Sequence, residues 1–523
     1  MKNLTKILSL TLVFVLLFSA TLLSSCSKPG LEIYSDSEQS SDKDALNNTS
    51  VEKKIIKMEL KDDYLWLTYS NDPDNPVKIA TVDEAIKNSF IFSDGTLTYM
   101  QLSSGAYGVS VGSEKYLSEI VIPETFNGKP VTAILENAFK GCKDLKKITI
   151  PSTINSVADG AFAECGNLEF TEFSGALYVG NENNPHLILV KAKNPNIMSC
   201  TVNENTIAIC DYAFEDCKKL ENIKLSNVKN IGSYAFKNCV ALSSDIKIPE
   251  GSTHIGPETF YGCSNIKKVS IPKSVSNIGM SAFSGCSALE SVTFAEGSLM
   301  SGFGNAVFYN CKNLKSITIP AGVKYIGDNK ANNFAHGVFS KCESLENVVF
   351  ADGNKLDQIG NFAFYSCKKL SAITLPDTLT YLGSSAFAQS GITSIVIPDN
   401  VTIVLDKTFE QCNNLKTVTF GKNLTQIGEY AFDACITLNN VIIPSSVKVI
   451  GKYAFVNNKN LNNLKFENPK GWYTFRFSNT KIDVELDEAI VSNPEAIANC
   501  LSGANSNLPD MFEFNYSDHT LAN

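Results

Sequence analysis

The sequence is poor in the residues and motifs that usually carry catalysis. It has two tryptophans and four histidines in 523 residues, and it contains no Cys-x-x-Cys pair, nucleophile elbow, phosphate-binding loop or metal-ligand motif. The histidines lie far apart along the chain, so they indicate no shared site. We therefore expect no enzyme activity, no cofactor and no bound metal. An enzyme within the N-terminal part stays open as the lesser alternative.

An excess of positive charge is also lacking. The formal net charge is −9 at pH 7, which argues against nucleic acid as a partner. The longest apolar run is at the N-terminus, where Lys2 and Lys6 precede a stretch from Ile7 to about Phe18. This is the organisation of an export signal, and the run is short for a helix that spans a membrane.

A cysteine follows this signal in a setting that favours lipid attachment. The stretch Leu23-Ser24-Ser25-Cys26 resembles the bacterial lipobox, in which the cysteine is acylated and becomes the new N-terminus. The resemblance implies a signal peptide at residues 1–25 and lipid attachment at Cys26, with an ordinary cleaved signal as the alternative. Acyl chains would anchor the protein without spanning the membrane. Residues 26–52, rich in Ser, Asp and Asn, are expected to form a flexible stalk.

An internal repeat dominates the rest of the chain. One phenylalanine recurs thirteen times, mostly at intervals of 22 to 25 residues, and a small residue, usually cysteine, stands three positions after it. A unit of this size cannot enclose a core alone, so the copies should stack into a solenoid. The predicted inner ladder consists of Phe139, Phe162, Phe214, Phe236, Phe260, Phe283, Phe308, Phe339, Phe364, Phe387, Phe409, Phe432 and Phe455, with Cys142, Cys217, Cys286, Cys367 and Cys435 among its cysteines.

Each unit also contains a strand signal. Runs such as "LKSITIP" (314–320) alternate apolar and polar residues, which predicts strands with one buried face that stack into a parallel sheet. We expect the Ala-Phe-x-x-Cys part to form a short helical turn on the opposite side. The predicted class is an α/β repeat solenoid. It comprises a β-rich N-terminal module and cap at 53–118, the array at 119–466 with a β-hairpin-like insertion near 174–206, and a closing segment and tail at 467–523.

The cysteines raise the question of disulfides, because fifteen cysteines in an exported chain suggest a disulfide framework. Eleven of them occupy the same repeat position, where Ser390 and Asn458 stand in two other units. A position that accepts Cys, Ser or Asn requires a small residue in a buried slot. We therefore predict buried thiols, with scattered disulfides as the alternative; Cys200, Cys210 and Cys500 lie off the ladder and are the best candidates for a bridge.

Units such as "IGEYAFDACITLNNVIIP" resemble those of the BspA-like leucine-rich repeat family of bacterial surface proteins. The resemblance covers residues 94–475: the stretch 94–142 is similar to the segment that opens the repeats in that family, 178–214 to an insertion seen in many members, and "FENPKGWYTF" (466–475) to the closing segment. It implies a surface protein that adheres to host matrix proteins, host cells or other bacteria.

The outward strand positions form the candidate contact surface, because a solenoid sheet is an extended binding surface. They are rich in hydroxyl groups and nearly uncharged. We expect them to contact a host or bacterial surface protein or glycan; a solvated sheet without a ligand and a self-assembling envelope scaffold are the alternatives. The predicted contact residues are Ser270, Thr293, Thr318, Thr374, Thr419, Ser291, Ser316, Asn347, Thr417 and Asn440.

Overall fold

The computed structural model describes residues 92–112, 116–327, 336–468 and 493 with their side chains. For residues 55–61, 64–69, 72–81, 91, 472–476, 484–485 and 512–516 it describes the backbone alone. The predicted signal peptide, the stalk, Cys26 and Cys500 lie outside the described residues. The chain divides into two compact units, one of Met1–Ser93 with Tyr99–Gln101 and the other of Asp94–Thr98 with Leu102–Asn523.

The first unit contains an antiparallel sheet of three strands in the order β1-β2-β3. These strands are β1 (Ile55–Lys61), β2 (Tyr64–Tyr69) and β3 (Asp72–Thr81). They lie between the predicted stalk and the repeats, in the part of the chain where the sequence indicates β-structure. The next strands in the chain are β4 (Ile91–Ser93) and β5 (Leu97–Gln101).

The second unit is a parallel β-solenoid of about 15 turns. Each regular turn supplies one longer strand, which follows the leucine of the repeat. We call the stack of these strands the long-strand ladder. Its members are β7 (Glu119–Val121), β10 (Lys147–Thr149), β15 (Ser199–Thr201), β17 (Asn222–Lys224), β19 (Ile246–Lys247), β21 (Lys268–Ile271), β23 (Ser291–Phe294), β25 (Ser316–Ile319), β27 (Asn347–Phe350), β30 (Ser394–Val396), β32 (Thr417–Thr419), β34 (Asn440–Ile443) and β36 (Asn463–Phe466).

A second stack, the short-strand ladder, precedes the phenylalanines. Most of its members have two residues, of which the second is an inward-pointing Ile, Val or Leu. They are β9 (Lys129–Ile134), β11 (Ser156–Val157), β14 (Ile188–Ala192), β16 (Ala208–Ile209), β18 (Asn230–Ile231), β20 (His254–Ile255), β22 (Asn277–Ile278), β24 (Gly302–Phe303), β26 (Tyr325–Ile326), β28 (Gln358–Ile359), β29 (Tyr381–Leu382), β31 (Ile403–Val404), β33 (Gln426–Ile427) and β35 (Val449–Ile450).

The remaining strands open, interrupt and close the solenoid. At its start β6 (Tyr107–Val111) runs parallel to β9, and β8 (Thr125–Phe126) forms a hairpin with β9 through an Asn127-Gly128 turn in which both residues have positive φ. In the insertion, β12 (Thr171–Phe173) and β13 (Ala176–Val179) form an antiparallel meander with β14. At the other end β39 (Phe512–Tyr516) pairs antiparallel with β35 and with β37 (Trp472–Arg476), and β37 also pairs with β38 (Val484–Glu485).

The predicted helical turns are wrong, and with them the α/β class, because the described residues contain strands and turns but no helix. In the unit of Phe364, the residues two before and two after it, Phe362 and Ser366, have φ values of 57° and 59°. Each of these left-handed residues is the third residue of a tight turn, closed by the N–H of Ala363 on the Gly360 carbonyl and by that of Cys367 on the Phe364 carbonyl. The N–H groups of Phe362, Phe364 and Ser366 donate to carbonyls of the next turn of the solenoid, so the backbone bonds run between turns and not along a helix.

The core is a column of stacked phenylalanines surrounded by aliphatic residues of both ladders. From Phe214 to Phe455 every successive pair of rings is stacked, with centroids 5.1–5.8 Å apart and planes within 12°. All these rings are fully buried. Offset stacks of this kind add about 0.5–1.5 kcal/mol per pair beyond the burial of apolar area.

The long-strand ladder is less continuous than the repeat suggests. Its hydrogen-bonded blocks are β7 with β10, β15 with β17, β19 to β27, and β30 to β36. Between the last two blocks, residues 371–375 keep the alternation of exposed and buried side chains but form no strand. The parallel sheet predicted from the alternating runs is therefore interrupted at this position.

Candidate binding face

The structure places nine of the ten predicted contact residues on exposed positions, and Ser291 is partly buried. Adjacent strands hold them in register: Ser270 pairs with Thr293, and Thr417 pairs with Asn440. Thr374 is exposed but lies in the non-strand segment 371–375. The ten residues therefore share one surface, which we call the outer face. They form two files that run across the strands, the first with Ser270, Thr293, Thr318, Thr374 and Thr419 and the second with Ser291, Ser316, Asn347, Thr417 and Asn440.

The outer face has many hydroxyl groups and no charge over most of its length. Between Ser270 and Ile442 none of the residues in the two files is charged. Part of the hydroxyl capacity is used within the sheet, since the Thr293 hydroxyl lies 3.3 Å from the Ser270 hydroxyl and 3.4 Å from the Val269 carbonyl oxygen. Threonine and valine suit strands in any case, so composition alone does not identify a ligand.

Charged residues border the two uncharged files on both sides, and we call the files the floor of the outer face. Lys267, Glu290, Lys315 and Glu346 precede the outward positions of successive units, and all four are exposed. Across the strands, Lys422 pairs with Asp399 at 2.8 Å, and this pair holds the pKa of the Asp399 carboxyl below its usual range. A floor depleted of charge within a polar rim is the usual anatomy of a protein interface.

Large apolar side chains also reach solvent on this face. Val349, Val396 and Ile442 are 54%, 64% and 49% exposed, and all three belong to the file that contains Thr374 and Thr419. Towards the N-terminus the same face becomes basic, with Lys224, Lys247 and Lys268 exposed at outward positions. The outer face thus has a basic N-terminal part and an uncharged, β-branched C-terminal part.

Behind this face, the cysteine slot has a specific role in joining the turns. In nine units the thiol donates to the carbonyl oxygen of the phenylalanine in the preceding turn, at 3.0–3.3 Å. Burial raises the pKa of Cys165 to about 11 and that of Cys412 to about 12. The thiols therefore stay protonated and act as donors, and buried thiols of high pKa react slowly.

The two non-cysteine residues in this slot show what the position requires. Asn458 donates its amide hydrogens to the carbonyl oxygens of Phe432 and Phe455, at 2.8 and 2.7 Å. The Ser390 hydroxyl lies 3.5 Å from the sulfur of Cys412. The slot therefore requires a side chain that is small and also has a hydrogen-bond donor. The predicted requirement for a small residue did not include the donor.

Thirteen cysteines lie in the described residues, and each keeps a thiol. Of the three bridge candidates, Cys200 is buried, Cys210 is half-buried, and neither is in a disulfide. The predicted ladder cysteines Cys142, Cys217, Cys286, Cys367 and Cys435 are all buried.

The insertion interrupts the stacking between the turns of Phe162 and Phe214, and we call this boundary the insertion seam. Phe162 stacks on Phe139 at 5.7 Å, but among the described aromatic contacts it has none with Phe214. The N–H of Ala192, from the insertion, donates instead to the Ala213 carbonyl. On the other side of the insertion a groove of 710 Å³ opens beside Val121 and Lys147, and a second one of 550 Å³ lies at the seam itself, beside Phe162 and Cys210.

Two carboxylates accept hydrogen bonds across the insertion seam, and one of them also bonds to the next turn of the array. The Asp211 carboxylate accepts hydrogen bonds from the backbone N–H of Gly160 and, at 2.8 Å, from that of Ser233. The Ser233 hydroxyl donates to Asp159 at 2.6 Å. Burial, and then the nearby charge of Asp159, raise the pKa of Asp211 to about 6. Side chains thus replace a backbone ladder at this point.

Within the described ranges no group of three or more His, Cys, Asp or Glu side chains is arranged to hold a metal ion. The same part of the chain contains no helix long and apolar enough to cross a bilayer. The three histidines of the described ranges lie in different turns: His186 lies in the insertion against Phe173 and Tyr178, His254 is in β20, and His336 packs against Tyr309. His519 lies outside the described residues.

A family model, the BspA type leucine rich repeat region (6 copies), matches this chain at residues 111–183, 192–300, 229–335, 332–462 and 380–500. Together these ranges include more than half of the sequence. The chain belongs to the BspA type leucine-rich repeat family. The family assignment agrees with the resemblance predicted from the units around Phe364 and Phe432.

Several solved structures are similar to this BspA type protein. A leucine-rich repeat protein from Bacteroides ovatus is 27% identical over 72% of this chain and 88% of its own, with a TM-score of 0.45. A leucine rich cell surface protein from Faecalibacterium prausnitzii is 23% identical over 72% and 95%, with a TM-score of 0.35. The pneumococcal vaccine antigen PcpA is 19% identical over 73% and 82%, with a TM-score of 0.34. No functionally curated protein matches the sequence significantly.

Sequence reasoning found the outward files but missed three features of the site. The donor role of the cysteines depends on a carbonyl 25 or more residues away, which no local pattern shows. The bridging by Asp211 has no sequence signal of its own, because a carboxylate also stands at this position in the units of Phe139, Phe409 and Phe432. Nothing in the alternation of residues 371–375 distinguishes them from a regular strand.

Proposed function

We propose that this BspA type protein is a lipid-anchored surface protein that binds protein or glycan ligands through its outer face. The observation that carries the proposal is the charge-free double file of hydroxyl and β-branched residues from Ser270 to Ile442, with its charged rim. A large surface of this kind is where a repeat protein binds its partners. The N-terminal signal and Cys26 support display on the membrane, and the similar protein from Faecalibacterium prausnitzii is a leucine rich cell surface protein, which supports it further.

The composition of the face favours proteins over glycans among the possible ligands. The two files contain no tyrosine or tryptophan between Ser270 and Ile442, and sugar rings commonly stack on such side chains. Binding would instead use many small contacts around the exposed Val349, Val396 and Ile442. Hot spots rich in Trp, Tyr and Arg are absent from these files, so we expect moderate affinity for any one partner.

The proposal is tested with a triple variant in which Thr293, Thr318 and Thr374 are each replaced by lysine. Three desolvated ammonium groups on the floor should abolish binding to any matrix protein or glycan that the wild-type chain binds in a panel. All three positions are exposed, so the fold should persist, which circular dichroism checks.

A matched control carries the same three charges elsewhere, as Ser276→Lys, Thr402→Lys and Thr425→Lys. These exposed residues precede the short strands, and the control should bind like the wild type. Binding that survives the outer-face substitutions would place the ligand elsewhere. On whole cells, Cys26→Ala should move the chain from the membrane fraction to the medium, and retention on the membrane would argue against the lipid anchor.

A self-assembling envelope scaffold without a host ligand is the second candidate. It is favoured by one specific observation, the symmetrical order of residues in the C-terminal part of the outer face.

A further inference from the structure

The C-terminal part of the outer face has a residue order that reads nearly the same in both directions. Its first file runs Val349, Thr374, Val396, Thr419, Ile442, so exposed aliphatic residues alternate with threonines about Val396. The second file runs Asn347, Ala372, Ser394, Thr417, Asn440 and is nearly symmetrical about Ser394. Both centres, Ser394 and Val396, lie on the same strand, β30.

This order matters because a two-fold interface requires a surface that complements itself. A two-fold axis parallel to β30, lying between two facing copies, keeps each position along the strand and reverses the order of the strands. Val396 then faces Val396, Val349 faces Ile442, and Thr374 faces Thr419. In the second file the Asn347 amide faces the Asn440 amide, where each can donate to and accept from the other.

We propose that the outer face around β30 binds the same face of a second copy of this chain, about that two-fold axis. The proposal uses the same face as the proposed function, but it does not depend on a foreign ligand.

The charges around the footprint fit this arrangement. Between Ser270 and Ile442 the two files have no charge to bury, although the chain as a whole carries −9. At the edge of the footprint the exposed Lys465 would face Thr318. At the rim, Glu346 would face Asn439, and Lys416 would face Ser371. On the other side Asp377 would face Lys422, which has the opposite charge. Two Asp399 side chains approach the axis, and each is already paired with Lys422 of its own chain.

The size of the footprint predicts a weak dimer. In the two copies the strand positions from Thr318 to Lys465 overlap. With strands about 4.8 Å apart and four residues per strand at a rise of about 3.3 Å, the overlapping area measures roughly 34 by 13 Å. The total buried area is then on the order of 1,000 Å², the low end for specific interfaces. We expect dissociation in the micromolar range in solution, with tighter pairing between copies held on one membrane, where the effective concentration is higher.

Sedimentation equilibrium on the full chain tests the association, with Cys26→Ala included so that acyl chains cannot drive it. This chain should approach a dimer between about 1 and 100 μM. Val396→Lys, which places two ammonium groups together on the axis, should keep it monomeric. Thr293→Lys is the matched control on the same face; its position lies beyond the overlap, and the variant should dimerise like the parent. A parent chain that stays monomeric throughout this range, or a Val396→Lys chain that dimerises equally, would overturn the proposal.

Cross-linking with a short bis-maleimide tests the symmetry itself. Val396→Cys should link to its own copy, because the residue lies on the axis. Val349→Cys and Ile442→Cys should link poorly alone and well when the two variants are mixed. The chain without these added cysteines measures any background from the native thiols. Equal self-linking by all three variants would exclude the two-fold arrangement. Because every measurement uses the purified chain alone, a binding panel without hits bears on the proposed function and leaves this result unaffected.

Discussion

The regular array and the insertion seam join successive turns in different ways. From Phe214 to Phe455, each turn is held to the next by a stacked phenyl ring, by alternate backbone N–H groups and, in most units, by a thiol that donates to a carbonyl. At the seam the ring stack stops, and Cys217 makes no bond to the Phe162 carbonyl among the described residues. Asp211 and Asp159 instead accept hydrogen bonds across the seam, from the N–H of Gly160 and from the hydroxyl of Ser233.

The difference shows what repetition contributes to stability. In a regular stack every turn presents the same donors, acceptors and apolar surface to its neighbour. The same contacts therefore recur from turn to turn, and no irregular side-chain contact is needed. An insertion moves these partners away from one another, and the exposed edges then need polar side chains and leave a groove. We therefore expect the seam to be the weaker of the two regions, and three comparisons of variants test this from the largest effect to the smallest.

The largest effect is expected for Phe364→Ala compared with Phe162→Ala. Phe364 stacks on Phe339 at 5.4 Å and on Phe387 at 5.2 Å, so its removal should lower the free energy of unfolding by about 3–5 kcal/mol. Phe162 stacks on one side only and borders a groove, and its loss should cost roughly half as much. Urea unfolding followed by circular dichroism measures both values. Equal costs would show that two-sided stacking is not the source of the difference.

A smaller effect is expected for the cysteines. Cys367→Ala removes a thiol that donates to the Phe339 carbonyl at 3.2 Å, and it should cost about 1–2 kcal/mol. Cys217→Ala should cost less, because no equivalent bond to Phe162 is present. Cys367→Ser keeps a donor of similar size and is the control, which should recover part of the loss. If Cys217→Ala is the more damaging substitution in urea unfolding, the donor role is not what selects cysteine.

The smallest effect is a dependence of stability on pH at the seam. The pKa of Asp211 is raised to about 6 in the folded chain, whereas an unfolded aspartate has a pKa of about 3.9. Between these values the folded state binds more protons, so this group makes the protein more stable as the pH falls from about 6 to about 4. Ionised Asp211, above about pH 6, opposes folding.

Asp211→Asn removes this titration while keeping the shape of the side chain. The difference in melting temperature between wild type and variant should change by a few degrees between pH 7 and pH 5, with the wild type gaining as the pH falls. Asp245→Asn removes an exposed carboxylate away from the seam and serves as the control for the loss of one negative charge. A constant difference for Asp211→Asn would mean that the carboxylate at the seam does not titrate in this range.

Much of the architecture was predictable because it depends on short-range periodicity. The interval between phenylalanines indicated stacked turns, and the alternation in "LKSITIP" indicated strands with one buried face, as in β25, where Ile317 and Ile319 are buried and Ser316 and Thr318 are exposed. The turns around Phe364 were predicted wrongly because Ala-Phe-x-x-Cys suits a helical turn in isolation. The alternate N–H groups bond to the next turn of the solenoid, and this arrangement exists only when the turns are stacked.

The sequence by itself determined the repeat, its membership of the BspA type family, the inward and outward positions and the uncharged character of the outer face. All of these depend on residues within one unit of about 23 positions. Only the tertiary structure decided where the ladders break, that the buried cysteines act as donors between turns, and that Asp211 bridges Gly160 and Ser233. These features depend on groups that lie far apart in the chain and come into contact only when the turns stack. The pattern of residues along the chain does not show which of these groups will be in contact.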